Sequence, residues 1–507
     1  MKKMKLKGIL LLSFTCVFSF TSCTGQKTVT NQDKKEVVSS TTQKPNLIII
    51  HTDEHNFRTI SAYQNLLPEE QAFVWGKGNN SKTPNIDKLA NEGAIATSYY
   101  CAAPVCTPSR ASLVTGLHPG STGAPKNGMH ISENIPTFAT ILRDQGYATS
   151  YVGKWHLAGH EKYTFGIKYK AGFDDNRYMM KGGHAPYFHI KDGKFKGINE
   201  KVAAKLPKEE VIHLTDFFTD KTLEILERDK NKPFALMLSI PDPHTPDYAK
   251  PPYDTMYQDL DIKSPKTMAS KYTAIKPSWA GGKGKKDNNE AIGKKAFTNE
   301  KNALKQYFGM VSHIDDSVGR ILQFLEDNNL TENTIVVFTS DHGDMFFEHN
   351  RRNKGVPYEG SARIPFLIRY PNKIPSGKVI NTAYTNVDFA PTILSLMDVK
   401  TDAKFQGLDT SEDFTNNKKE VTSDRITYFA KSGGWWAAAV TDRYKLVIDK
   451  KEKPYLFDLQ KDPDELINFY YDKEYAAIAK KMQTELFKQM NEFDEPGLKV
   501  NQKYITE

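Results

Sequence analysis

The stretch Pro45-Asn46-Leu47-Ile48-Ile49-Ile50-His51-Thr52-Asp53-Glu54-His55 decides the fold class, because an unbroken apolar run ends abruptly in polar side chains. A continuous apolar run, without the alternation of a half-exposed strand, is typical of a parallel-sheet strand that is covered on both faces. Its polar residues then lie at the carboxyl end of the strand, which is where open α/β sheets bind their ligands.

The same pattern returns three times along the chain. Chemistry-bearing side chains follow each run: Tyr147–Val152 precedes Lys154 and His156, Phe234–Ile240 precedes Asp242 and His244, and Asn333–Thr339 precedes Asp341 and His342. Helices are predicted between these strands, at residues 84–92, 136–145, 214–229 and 299–327. This alternation predicts an α/β fold with a large, mostly parallel sheet flanked by helices, and one site at the carboxyl edge of that sheet.

The pattern of predicted strands and helices changes from about Asp388. A short helix at 388–397, short strands at 426–429, 435–440, 443–448 and 455–458, and a closing helix at 475–493 predict a smaller C-terminal subdomain of antiparallel sheet plus helix. We therefore place a catalytic domain at 44–390 and the C-terminal subdomain at 391–507. The Lys- and Gly-rich insertion 248–300 has two interpretations of equal weight, a solvated loop or a lid over an anionic ligand.

The N-terminal segment predicts export. Residues 1–22 carry lysines and then an apolar run, Ile9–Phe20, which is the pattern of a secretory signal peptide and is short for a membrane span. Cys23 lies where a bacterial lipoprotein carries its lipid, but Phe20 replaces the usual Leu, so ordinary cleavage stays an alternative. Residues 23–43 predict a polar tether. We expect a periplasmic protein or one held at the cell membrane by a lipid anchor.

The net charge and the cysteine content each bear on one class of protein. Half of the formal net charge of +8 comes from the lysines of residues 1–22, so the rest of the chain gives no reason to expect a nucleic-acid partner. Of the four cysteines, Cys16 and Cys23 lie in the N-terminal segment, which leaves Cys101 and Cys106. Two cysteines in a chain of this length exclude a disulfide scaffold.

The segment Cys106-Thr107-Pro108-Ser109-Arg110 joins a sulfur nucleophile to a fixed cation. With Pro108 at the first helical position, Cys106 would lie beside unpaired backbone N–H groups at the positive end of a helix dipole, which suits an anion. Arg110 would direct a planar, permanently charged fork at the same anion. On these residues alone, a disulfide between Cys101 and Cys106 has equal weight.

Together and in this order, the motifs resemble those of formylglycine-dependent sulfatases of the alkaline phosphatase superfamily, over residues 45–469. The motifs are Cys106–Arg110 with Thr115-Gly116, Gly153–Leu157, Pro243–Pro246, Ser340–Asp344, Lys354 with Glu359–Pro365, Arg443–Leu446 and Leu456–Pro463. The resemblance implies an alkaline phosphatase-like fold and hydrolysis of sulfate esters. The chain also resembles exported polysaccharide sulfatases of Bacteroidota, which implies a sulfated carbohydrate substrate, with the algal glycan ulvan favoured and a glycosaminoglycan as the alternative.

The resemblance also implies residue roles. Cys106 would be oxidised to formylglycine (3-oxoalanine) by a formylglycine-generating maturation enzyme, and the hydrated aldehyde would attack sulfur. One divalent metal would be held by Asp53, Glu54, modified Cys106, Asp341 and His342. Calcium is favoured because it prefers oxygen ligands. Manganese or magnesium are alternatives because His342 offers a nitrogen ligand. The remaining catalytic set is Arg110, Lys154 and His156 around the hydrate, Lys354 on the sulfate oxygens, and His244 as the acid for the leaving oxygen.

Two other functions stay open. Phosphonate or phosphodiester hydrolases of the same superfamily use the same nucleophile. A non-catalytic glycan-binding lipoprotein would have lost at least one core residue, whereas each family position that we identify here holds a usable group. His51, His55 and His349 are predicted to be sugar-subsite or structural residues, with similar weight.

Overall fold

The computed structural model describes residues 43–269, 277–280, 290–431 and 434–498. The described residues from Lys44 onward form one compact unit. The predicted signal peptide, Cys23 with most of the tether, and the centre of the insertion at 281–286 lie outside the described residues. Within the described ranges, no helix combines the length and the apolar character that crossing a membrane requires.

A sheet of nine strands forms the centre of the described structure. In spatial order the strands are Glu420–Val421, Lys378–Ile380, Ala94–Ala96, Phe366–Arg369, Thr334–Ser340, Asn46–Thr52, Phe234–Ser239, Ala148–Lys154 and Asp175–Met180. Neighbouring strands pair in parallel except on both sides of Phe366–Arg369, which is antiparallel. The mostly parallel sheet and its four predicted strands are confirmed.

The strand Asn46–Thr52 shows why the apolar run is continuous. It pairs with Thr334–Ser340 on one side and Phe234–Ser239 on the other, so it has no free edge. Leu47 and Ile49 pack into the core on one face of the sheet, while Ile48 and Ile50 pack into the core on the other. Because both faces are covered, a polar residue at any of these positions would be buried, and the alternation of a half-exposed strand is lost.

Helices cover both faces of the central sheet. The α-helices described are Ser61–Gln64, Glu69–Ala72, Pro84–Asn91, Cys106–Thr115, Phe138–Asp144, Glu200–Ala203, Leu214–Asp229, Glu290–Asp327, Glu359–Ala362, Phe389–Leu396, Ser411–Thr415 and Ala476–Glu492. The long helix begins at Glu290, before the predicted Asn299, so the C-terminal end of the predicted insertion is helical. The helix Cys106–Thr115 is buried along its whole length and ends at Gly116, whose φ of 67° is in the left-handed region that favours glycine.

The C-terminal part contains the predicted antiparallel sheet. Its strands are Thr427–Ala430, Trp436–Val440, Tyr444–Asp449 and Tyr455–Asp458, and the helix Ala476–Glu492 packs against them around a common apolar core. Two small sheets complete the described strands, Tyr384–Thr385 with Tyr99–Tyr100, and Lys194–Ile198 with Tyr187–Lys191 and Val211–His213. The boundary between residues 390 and 391 stays a prediction.

Candidate active site

The carboxyl edge of the central sheet gathers the predicted site residues, as the strand pattern indicated. Asp53 and Glu54 follow Asn46–Thr52, Asp341 and His342 follow Thr334–Ser340, and Lys154 is the last residue of its strand. These strands are parallel members of one sheet, so their ends lie on the same side. All five of these side chains are fully buried. The edge therefore holds three carboxylates and a lysine in a space that is closed to bulk water.

Cys106 lies at the start of its helix, and the structure corrects the predicted helix start. The helix begins at Cys106 itself, so Pro108 is its third residue and not its first. The difference is tolerated because none of the first N–H groups of a helix has an intrahelical partner, and a proline there removes no bond. Cys101 and Cys106 are both free thiols, so the alternative of a disulfide between them is wrong.

The Cys106 thiol is surrounded by charged groups. Its Sγ lies 3.2 Å from His342 Nε2. Burial alone would raise the pKa of this thiol, but the positive charges of Lys354 and Lys154 outweigh burial and hold the pKa well below its usual value. The position thus favours negative charge at the Cys106 side chain.

Arg110 bridges the two strand-end aspartates. Its Nη2 donates to Asp53 Oδ2 at 2.7 Å and its Nε donates to Asp341 Oδ2 at 2.9 Å. Its Nη1 donates to the Lys154 carbonyl at 2.9 Å and to Ser239 Oγ at 2.7 Å. This planar fork fixes the spacing of both carboxylates, which a lysine at the same position could not do.

Four of the five predicted metal ligands form one cluster. Ligand atoms of Asp53, Cys106, Asp341 and His342 all lie within 4.8 Å of one another. His342 Nδ1 is 3.1 Å from the Gly343 carbonyl, to which it donates, so Nε2 is the ring nitrogen that faces the cluster. Although burial lowers the pKa of His342, Asp341 and Cys106 raise it to about 9, which shows that the cluster attracts positive charge.

Two further buried carboxyl oxygens at this edge are available as ligands for a cation. Asp53 Oδ1 and Glu54 Oε1 are buried and have no hydrogen-bond partner among the described residues. Burial raises the pKa of Glu54 to about 8, despite the opposing charge of Lys354. Glu54 lies beside the cluster, with its N–H donating to Asp341 Oδ1 at 3.0 Å and its Oε2 2.8 Å from Lys354 Nζ. The donor set of carboxylate oxygens with one imidazole nitrogen fits a divalent metal.

Two lysines and two histidines lie next to the strand-end carboxylates. Lys154 Nζ donates to Asp53 Oδ2 and also contacts His184 Nε2. Lys354 Nζ lies 2.9 Å from His244 Nε2. The rings of His184 and His244 stack in parallel with their centroids 3.6 Å apart. The two lysine ammonium groups, next to residues that could hold a cation, suit a multiply charged oxyanion.

His244 is held in one orientation. Its Nδ1 is 2.7 Å from the Thr245 carbonyl, to which it donates, and its Nε2 lies 2.9 Å from Lys354 Nζ and 3.0 Å from Glu54 Oε2. Burial lowers the pKa of His244 to about 4, although Asp53 opposes this shift. Its Nε2 thus lies between the Lys354 amine and the Glu54 carboxyl group, within hydrogen-bonding distance of both.

His156 contributes through its backbone in the described contacts. Its carbonyl accepts a hydrogen bond from Thr107 Oγ1 at 2.8 Å, next to Cys106. Its Nδ1 is buried, and no described residue is hydrogen-bonded to it. The structure thus brings the His156 backbone to the residue that follows Cys106, while a direct role of the ring stays a prediction.

Sequence reasoning missed two contributors to the site. His184 follows the strand Asp175–Met180, whose polar composition hid it from a search for apolar runs. Asn386 donates through Nδ2 to Ser109 Oγ at 2.8 Å and accepts the Ala102 N–H at 2.9 Å, which fixes both flanks of the Cys106 turn. No local signal marks Asn386, because its partners lie more than 270 residues away.

The three histidines of uncertain role are all buried. His51 is fully buried, and burial lowers its pKa to about 3. His55 lies within hydrogen-bonding distance of Thr59 Oγ1 at 3.0 Å, and the ring of His349 stacks on Tyr358 with centroids 3.7 Å apart. Their burial favours the structural interpretation over a sugar subsite.

Comparison with known proteins identifies the sequence family. The Sulfatase family model matches residues 45–399, and a model described as N-sulphoglucosamine sulphohydrolase, C-terminal, matches residues 347–492. An arylsulfatase of Clostridium perfringens is 30% identical over 470 residues, which cover 85% of this chain and 91% of the relative. An ulvan-active sulfatase of Formosa agariphila is 27% identical over 503 residues, which cover 96% of this chain and 88% of the relative.

A solved structure supports the fold. It is a complex of a protein with its substrate D-glucosamine-2-N,6-O-disulfate, and it superposes with a TM-score of 0.70 at 24% identity, covering 90% of this chain and 99% of the other. At this level of identity the likeness concerns the fold alone. The alkaline phosphatase-like architecture expected from the motifs is thereby confirmed.

Proposed function

Since this chain belongs to the sulfatase family and is a sulfuric ester hydrolase, we propose that it removes sulfate from a sulfated polysaccharide or its oligosaccharides, with ulvan the favoured polymer. The likeness to an ulvan-active sulfatase over 96% of the chain supports this choice of polymer. A glycosaminoglycan is the second candidate, which the match of residues 347–492 to the N-sulphoglucosamine sulphohydrolase C-terminal model favours.

One observation carries the proposal. The Cys106 Sγ lies at the junction of a cation-binding cluster, formed by Asp53, Asp341 and His342, and an anion-binding side that contains Lys154 and Lys354. Transfer of a sulfuryl group needs a nucleophile next to groups that balance the charge of three sulfur-bound oxygens. Cys106 is the side chain that meets both halves of the site.

We propose that Cys106 is oxidised to formylglycine by a maturation enzyme, so that the thiol stands where the aldehyde hydrate acts. The hydrate supplies an oxygen nucleophile for sulfur and a second hydroxyl whose deprotonation releases sulfate and regenerates the aldehyde. Arg110 orients this group indirectly, through Asp53 and Asp341, and the Lys154 ammonium lies against Asp53. His156 is proposed to contact the hydrate from the strand end that carries Lys154.

We propose that Asp53, Asp341, His342 and the modified Cys106 hold one divalent metal, with Glu54 completing the set. When bound, this metal neutralises the sulfate charge and polarises the attacking hydroxyl. Calcium is favoured, because most of the donors are carboxylate oxygens, and manganese or magnesium are the alternatives that the nitrogen of His342 admits.

The remaining groups act on sulfate and on the leaving alcohol. Lys354, whose pKa is raised by Cys106 and Glu54 against the effect of burial, keeps its positive charge and neutralises sulfate oxygens. His244, in its protonated form, donates the proton that the departing sugar oxygen needs. The Nε2 of His244 contacts the Lys354 ammonium, so one side chain binds sulfate while its neighbour serves the leaving group.

The test combines mass spectrometry with turnover. In protein from the native host, the peptide that contains Cys106 should carry the aldehyde, and the enzyme should release sulfate from ulvan or another sulfated glycan in a panel of defined oligosaccharides. The Cys106→Ala variant should fold and release none. An unmodified thiol in the native host would contradict the nucleophile. A preference of several orders of magnitude for aryl phosphonates or phosphodiesters over aryl sulfates would contradict the reaction.

We also propose that the protein is exported. It is either periplasmic or anchored at the cell membrane by a lipid on Cys23. The pattern of residues 1–22 supports export, and the polar residues 23–43 suit a tether. Metabolic labelling with a fatty acid tests the anchor, because Cys23→Ser should abolish labelling. Labelling that persists in this variant would contradict the anchor.

A further inference from the structure

A cluster of lysines surrounds an exposed tryptophan in the C-terminal subdomain. Trp435 is 47% exposed, whereas its neighbour Trp436 is buried. The Nζ atoms of Lys450, Lys451 and Lys431 lie 3.9 Å, 5.5 Å and 5.7 Å from the centroid of a Trp435 ring. We call these four residues the tryptophan platform. Three ammonium groups around one exposed indole form a surface that is both aromatic and strongly cationic.

The chemistry of the platform selects its ligand. The part of the Trp435 ring that Lys450 leaves exposed offers an apolar surface to the C–H groups of a sugar ring, while ammonium groups pair with anionic substituents. The same subdomain carries a second exposed aromatic–lysine pair, since Lys453 Nζ lies 5.3 Å from the ring of Tyr471, which is 58% exposed. A sulfated carbohydrate presents apolar ring faces and sulfates together, so it matches both components.

The strand that precedes the platform is joined to the Cys106 turn. The Ala430 N–H donates to the Ala102 carbonyl at 3.0 Å, four residues before Cys106. The ring of Phe429 stacks on Tyr100, with centroids 5.5 Å apart. Lys431 directly follows Ala430, and its N–H donates to the Trp436 carbonyl at 3.0 Å, which continues the pairing of the two strands. The platform therefore begins next to the segment that leads into the candidate nucleophile.

We propose that the tryptophan platform is a subsite for a sulfated polysaccharide chain, distinct from the pocket that holds the scissile sulfate. Trp435 packs against a sugar ring of the chain, and Lys431, Lys450 and Lys451 pair with its sulfates. This inference rests on the proposed function, since it assumes a polymeric substrate. It assigns polymer binding to the C-terminal subdomain and sulfate ester cleavage to the edge of the central sheet.

Binding and turnover are measured separately. Dissociation constants for ulvan and heparan sulfate are measured by affinity electrophoresis in the Cys106→Ala background, which prevents desulfation of the ligand. Adding Trp435→Ala, or Lys450→Ala with Lys451→Ala, should weaken binding of at least one polymer roughly tenfold, as loss of an anchor side chain does. In the otherwise native enzyme, the same substitutions should leave turnover of a small aryl sulfate unchanged within about twofold.

A charge-matched control uses Lys77→Ala with Lys263→Ala, which removes two lysines that are 80% and 63% exposed elsewhere on the surface. This control should bind the polymers like the parent. Failure of the parent to bind either polymer, or an equal loss of binding in the control, would overturn the subsite. An equal effect on unsulfated polygalacturonate would also overturn it, because the surface would then bind any polyanion.

A membrane role is a separate outcome. If Trp435→Ala abolished cosedimentation with anionic phospholipid vesicles and left polysaccharide binding intact, the platform would be a membrane surface and the proposal would be wrong. The failure of the proposed function looks different. It would appear as absence of sulfate release from every substrate by the native enzyme, whereas the binding measurements would still support or overturn the platform.

Discussion

Replacing His244 with Ala should slow substrates to different extents, according to how basic their leaving group is. This difference tests whether His244 is the general acid. If His244 protonates the departing oxygen, its loss should matter most for a sugar sulfate, whose alkoxide is a strong base. A nitrophenyl sulfate should be affected little, because nitrophenolate leaves without a proton. A positioned general acid contributes roughly 10²- to 10⁴-fold to the rate. We therefore expect kcat/KM for the sugar sulfate to fall by about that factor.

Part of the loss of kcat/KM in the His244→Ala variant should come from lost ring contacts rather than from lost proton transfer. His244 Nε2 lies 2.9 Å from Lys354 Nζ, and the imidazole stacks on His184 with centroids 3.6 Å apart. Loss of an aromatic stack costs about 0.5–1.5 kcal/mol, which corresponds to roughly threefold to tenfold. Both substrates should lose that factor, so the nitrophenyl ester should lose no more than about tenfold.

The matched control is His184→Ala, which removes the same stack and leaves His244 in place. It should lower kcat/KM for both esters by a similar small factor. The assay is steady-state sulfate release from the sugar ester and from the nitrophenyl ester by the two variants and the parent enzyme. An equal loss for both esters in the His244→Ala variant would refute the reasoning and would assign His244 to sulfate binding instead.

Three further predictions follow from the buried charges. A chelator should abolish turnover and lower the melting temperature, since the mutually close carboxylates of Asp53 and Asp341 would lose their cation. Calcium should restore both better than magnesium or manganese, and recovery with another metal alone would contradict the choice of calcium. Lys445 is fully buried, with Nζ 2.8 Å from Glu465 and 2.6 Å from Glu359. Lys445→Met should therefore lower the free energy of unfolding, measured by urea denaturation, by about 3–5 kcal/mol. The control Lys488→Met should leave that free energy unchanged. Burial raises the pKa of Asp315 to about 7, against the opposing hydrogen bonds from the N–H groups of Ile86 and Asn85. Because the native state then holds this proton more tightly than the unfolded state, Asp315 contributes a stability that falls as pH rises from about 4 to about 7, and thermal melts of Asp315→Asn should show a flatter profile in that window.

The sequence predicted those parts of the fold that are coded locally. The apolar run at Asn46–Thr52 is continuous because both faces of that strand are covered, and the same cause made the other three predicted parallel strands visible. Once those strands are parallel, their polar carboxyl ends must share an edge, so the meeting of Asp53 with Asp341 and His342 followed from pattern alone. The start of the Cys106 helix was misplaced by two residues because a proline is compatible with any position in the first turn.

Other features depend on partners that are far apart in the chain. His184 follows a polar strand, and its place against His244 and Lys154 depends on how that strand joins the sheet. Asn386 reaches the Cys106 turn from 277 residues away. Lys445 of the C-terminal sheet donates to the Pro357 carbonyl at 2.9 Å, which steadies the segment that follows Lys354. None of these contacts has a local signature.

The sequence by itself therefore determined the class of fold, the nucleophile candidate and the sulfatase motifs, because strand burial and strand-end chemistry leave periodic, local patterns. Only the tertiary structure decided that Cys101 and Cys106 are not joined, that Arg110 bridges two aspartates, and that the lysines around Trp435 form one surface. These facts are distances between side chains from different strands and turns. They are fixed by the packing of the whole sheet and its subdomain, which no window of the sequence contains.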